Sequence, residues 1–115
     1  SPGYHGGISG MMKNALDYVE DLRADERVYL HGIAVGCIAV AYGWQATAST
    51  MHQLRQVAHA VRAWPTPLGC TVNASVTKFD SEGHCDDRGA EASLEMVGHQ
   101  VVEFAQMRRA LDKIN

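Results

Sequence analysis

The chain has 115 residues, 46% hydrophobic and 20% charged, with a net charge of −3. That length and balance fit one globular domain and exclude a disordered chain. A mildly acidic protein gives no reason to expect a nucleic-acid or anionic-membrane partner.

Pro2-Gly3-Tyr4-His5-Gly6-Gly7 reads as a turn. From Ile8 to Arg23 the apolar residues Ile8, Met11, Met12, Ala15, Leu16, Val19 and Leu22 recur at helical spacing, with Ser9 as the N-cap. Arg23 to Arg27 reads as a charged loop. Gly32 to Ala41 is small and apolar on both faces, the pattern of a central parallel strand covered on both sides. It is far too short to cross a bilayer. Tyr42-Gly43-Trp44-Gln45 is a sharp turn at its carboxyl end. A helix is predicted over Gln45 to Ala63, ended by Pro65. Thr66 to Ser75 reads as a second strand, which completes a right-handed βαβ unit. Phe79 to His84 is a polar turn. Asp86 or Asp87 then caps a last helix reaching about Leu111.

The candidate chemistry lies at two turns. Ligands of open α/β sheets bind outside the carboxyl ends of the strands. The glycines of Pro2–Gly7 would let backbone N–H groups approach a planar ligand, with Tyr4 over it and His5 at its edge. Tyr42 and Trp44, flanking Gly43, would form a wall beside or opposite it. No metal site is expected, because the six histidines and three cysteines lack zinc-type spacing. No side chain is expected to act as catalytic acid, base or nucleophile. The odd, widely spaced Cys37, Cys70 and Cys85 argue against a disulfide framework and for a reducing cytoplasm. No secretory signal is expected, since no basic region precedes an apolar one.

The opening Ser1-Pro2-Gly3-Tyr4-His5-Gly6-Gly7-Ile8-Ser9-Gly10-Met11-Met12-Lys13-Asn14-Ala15-Leu16-Asp17 resembles a segment of the NADPH-dependent FMN reductase family, Pro-Glu-Tyr followed at family spacing by Ser/Thr-Gly and Lys-Asn. Leu54-Arg55, Trp64-Pro65-Thr66-Pro67 and Phe79-Asp80-x-x-Gly83 are weaker similarities. Two departures stand out. Gly3 replaces the usual Glu, and Gly43 alone stands where the family has a glycine-rich stretch.

The resemblance implies an α/β, flavodoxin-like, doubly wound parallel sheet. Residues 1–115 would form its C-terminal half, in the order helix, strand, helix, strand, helix. It further implies FMN as cofactor and NADPH or NADH as co-substrate, with hydride transfer through flavin N5 to a small-molecule electron acceptor. Pro2, Gly3, Tyr4, His5 and Gly6 would contact the flavin ring, with Tyr42, Gly43 and Trp44 beside it. The helix from Ile8 to Arg23 would pair with its copy in a homodimer or tetramer. The family's phosphate-gripping loop would belong to a missing N-terminal half. The alternative is a flavin-free half-domain serving as an interaction or structural subunit.

Overall fold

A computed structural model describes residues 1–115 as a mixed α/β structure with three α-helices and small two-stranded sheets. At the start lies a hairpin of β1 (Gly3–Tyr4) and β2 (Gly7–Ile8), antiparallel, with Gly3 opposite Ile8. Its loop is His5-Gly6, at φ 50° and 92°. Positive φ at both central residues is what a two-residue type I′ loop requires.

Ser9 then caps α1 (Gly10–Asp17), its Oγ accepting from Met12 N at 3.1 Å. The helix tightens into a 3-10 turn over Tyr18–Leu22. The expected helix from Ile8 to Arg23 is therefore shortened at both ends. Ile8 is held in the hairpin, its N–H donating to Gln53 Oε1 at 2.9 Å. Tightening of the last turn is common where carbonyls lack further partners.

Two parallel ladders follow one another along the same pair of segments. β3 (Ala34–Val35) pairs with β5 (Trp64–Pro65). β4 (Ile38–Ala41) pairs with β6 (Cys70–Asn73), Ile38 opposite Cys70 and Ala41 opposite Asn73. The two expected strands, 32–41 and 66–75, are thus each narrower than foreseen, and the ladder is interrupted. The interruption has a cause in Thr66-Pro67-Leu68-Gly69, which leaves the sheet. Arg55 donates to Thr66 O at 2.7 Å, and Leu68 N donates to Gln100 Oε1 at 2.8 Å, so the excursion is tied to both flanking helices.

Helix α2 (Trp44–Ala60) also ends before its predicted limit. Pro65 does not stop it; the chain has already turned through Arg62, at φ 65°. Pro65 instead sits inside β5. There Trp64 N and Thr66 N serve the ladder, to Ile33 O and Val35 O, so the missing proline N–H leaves no gap.

Register assigns the sheet faces. Cys37 and Ala39 pack with Met51 of α2 on one face. Cys70 and Val72 pack with Val97 on the other, beneath α3 (Arg88–Ile114). Ile38 and Val40 share that second face but stay 38% and 37% exposed, because α3 lies over β6. Ser1 and Pro2 run beside β4, with Val40 N donating to Ser1 O and a parallel bridge from Pro2 to Val40. No helix is long and apolar enough to cross a membrane.

Asp87 is the cap of α3. Its carboxylate accepts from Ala90 N at 3.1 Å and from the Thr77 hydroxyl at 2.9 Å. These bonds, first that from Ala90, hold its pKa below the ordinary carboxylate value. The stabilisation is therefore present above that ordinary value and lost as pH falls through the depressed one. We expect Asp87→Asn to lower the Tm at neutral pH, with the gap to wild type closing as acidification protonates the Asp87 carboxylate, below the ordinary carboxylate range. A gap that persists in acid would contradict the charged cap. Thermal melts along a pH series read it.

Candidate functional site

The hairpin and the β4–α2 turn meet at the carboxyl end of β4. A Cβ placed on Gly3 would strike the Thr50 hydroxyl and lie 3.1 Å from the Ala41 Cβ and 3.4 Å from Ala46 O. Gly7 is equally constrained by the Gln53 side chain. The hairpin thus lies flat on α2 because both glycines lack a side chain. This gives the Gly3 departure a local reason: a glutamate there would meet a buried threonine.

Beyond Ala41 the chain turns through Gly43 at φ 105°, which glycine adopts at no steric cost. Gly43 N donates to Asn73 Oδ1 at 2.9 Å, and Gly43 O accepts from Thr47 N at 3.2 Å. The Gly43 amide is thereby already engaged, and a ligand would meet its Cα face. A Cβ on Gly6 or Gly43 would meet open space within 4 Å, so a flat molecule has room beside either residue.

The aromatic side chains stand in solvent around these turns. Tyr4, Tyr42 and Trp44 are 62%, 76% and 58% exposed, and Pro2 and His5 are exposed too. The Lys78 ammonium lies 5.7 Å from the Tyr42 ring centroid and donates to Ala74 O. Structure and sequence agree that both turns sit at one end of the sheet. The larger surface clefts lie elsewhere, between α1 and α2 and beside Trp64 and Phe104.

Two features at this end lie outside the sequence expectations. Asn73 Oδ1 accepts from Gly43 N, from Ser75 N at 3.0 Å and from Ser75 Oγ at 2.6 Å. Thr50 Oγ1 is buried with no hydrogen-bond partner. An asparagine at the end of an apolar strand, followed by Ala-Ser, was the available hint of the first.

No group of His, Cys, Asp or Glu side chains is arranged to hold a metal ion. All three cysteines are free, and burial raises the Cys37 and Cys70 thiols above their ordinary values. Neither is a poised nucleophile at neutral pH.

Parallel strands joined through helices define the α/β class, whose ligands bind outside the carboxyl ends of the strands. Within that class the chain belongs to the NADPH-dependent FMN reductase family, whose model matches residues 1–77. The family is one of flavin-dependent NAD(P)H reductases. Phe79, Asp80, Gly83 and all of α3 lie beyond the matched residues. Comparison with curated proteins gives no match to this sequence.

The orphan hydroxyl gives a test of how the hairpin is seated. We expect Thr50→Val to raise stability by about 1 kcal/mol, since it removes an unpaired buried polar atom at constant shape. Gly3→Ala should destabilise by about 1–3 kcal/mol through overpacking against Thr50. Denaturant unfolding of both variants checks the pair. A tolerated Gly3→Ala would mean that the hairpin does not lie on α2.

Proposed function

We propose that this protein is an FMN-dependent NAD(P)H oxidoreductase acting on a small-molecule electron acceptor. One observation supports it above others: Gly3 of the first turn rests on Ala41, directly before the second turn. Two turns with open Cα faces at Gly6 and Gly43 and exposed aromatics at Tyr4, Tyr42 and Trp44 suit the flavin ring. Bound there, FMN would supply the redox chemistry, taking hydride at N5 from NADPH or NADH and passing it to the acceptor. The chain's own share is positioning and water exclusion. Pro2, Gly3, Tyr4, His5 and Gly6 would set one side of the ring, and Tyr42, Gly43 and Trp44 the other. No side-chain acid, base or nucleophile is required.

Two further parts of the reading concern assembly. The sheet face bearing Ile38 and Val40 is uncovered beside α3. We read this as the C-terminal part of a larger flavodoxin-like domain, in which a further layer covers that face and supplies the phosphate contacts. Helix α1 presents Met11, 85% exposed, and the 3-10 turn after it Tyr18, 68% exposed. Leu16 and Val19 line a groove against Val57 of α2 and Val61 just after it. We assign that surface to contact with a second copy, giving a homodimer or tetramer in the cytoplasm.

The test is optical. Protein purified with added FMN should show blue and near-ultraviolet bands that bleach on NADPH addition and return in air. A protein that leaves FMN fluorescence unquenched and NADPH unconsumed would contradict the reading.

A further inference from the structure

Asn73 closes β6 and is 4% exposed. Its side chain reaches across the strand ends to Gly43 and back to Ser75. Gly43 N and Ser75 N are both donors, so the atom that serves them must be the amide oxygen. That fixes the orientation of the amide. The NH2 group is left with no acceptor in the protein, yet it is not among the sealed, unpartnered atoms. It therefore keeps a narrow contact with solvent, on a residue that ends β6.

The position of this donor is defined by register. Asn73 is the parallel partner of Ala41. Gly3 of the hairpin sits against Ala41 as well. Hairpin, Ala41 and Asn73 thus form a row across the strand ends, with the Gly43 turn above it. A ring lying over the turns would bring its edge toward such a donor, and the edge of an oxidised flavin carries carbonyl acceptors.

We propose that Asn73 is a positioning residue of the ring site: its oxygen locks the Gly43 turn and its NH2 donates to a carbonyl on the edge of the bound flavin. This rests on the flavin reading above, and it adds to that site a residue from β6. Two functions fall to the two ends of one amide. The lock keeps Tyr42 and Trp44 at a fixed height; the donor favours the ring orientation that brings a carbonyl toward β6.

Two variants separate these functions. Asn73→Asp keeps an oxygen for Gly43 N and Ser75 N but removes the donor. Asn73→Ala removes both. The probe is lumiflavin, the ring without its phosphate chain, titrated into the intact protein by fluorescence, with hydrogen exchange at the Gly43 amide as a second readout. Asn73→Asp should keep Gly43 protected and weaken lumiflavin binding about tenfold or more. Asn73→Ala should weaken binding and lose the protection. In both, the near-ultraviolet band of bound lumiflavin should move to shorter wavelength, because a donor to its carbonyl is gone. Wild-type binding and band position retained in Asn73→Asp would overturn the donor role. Gly43 protection retained in Asn73→Ala would overturn the lock. Failure of the wild-type protein to bind either lumiflavin or FMN would overturn the flavin reading itself, and is seen before any variant is made.

Discussion

Helix α2 packs on β4 through Met51, which sits against Cys37 and Ala39, and through small buried side chains around it. Ala39 is fully buried and Ala41 nearly so, and on the helix Thr47 and Thr50 are buried too. Each of these small positions would push the helix outward if it carried a larger side chain. This packing fixes the height of α2 above the sheet, and two other parts take their position from that height. The hairpin lies on the same helix through Gly3 and Gly7, with Gln53 gripping the Ile8 amide. The 66–69 excursion is held from the same helix by Arg55. One helix therefore carries the first turn and, at its amino end, begins from the second.

The second contact of note is across the strand ends rather than along them. Asn73 joins the turn after β4 to the turn after β6 through three hydrogen bonds to one oxygen. Buried polar atoms of this kind are stabilising only when satisfied, and a satisfied network fixes a single local geometry. A site that works by positioning depends on such fixed turns, because a ring displaced by about 1 Å loses reactive alignment. Of the exposed aromatic residues at these turns, Tyr42 has the Lys78 ammonium against its ring.

Much of this architecture was legible in the sequence for reasons that can be named. Ser9 and Asp87 cap their helices as expected, since a side-chain oxygen before an apolar stripe has few other uses. The run from Gly32 to Ala41 declared strand by its small apolar residues, but not burial on both faces: Ile38 and Val40 stay exposed. Its break was not legible, because it comes from Thr66–Gly69 on the other segment. The hairpin read only as a turn, because two-residue strands carry no alternation. Pro65 misled for a physical reason too: proline ends a helix only if the helix reaches it. Asn73 stayed silent because its meaning lies in Gly43, thirty residues earlier in the chain.

Both turns contacting one ring is the claim on which the function rests. The direct measurement is amide chemical-shift mapping of the protein during lumiflavin titration. We expect shifts at Gly3 to Gly6 together with Tyr42 to Trp44, saturating with a single binding constant. Shifts confined to the groove between α1 and α2, or to one turn alone, would contradict it.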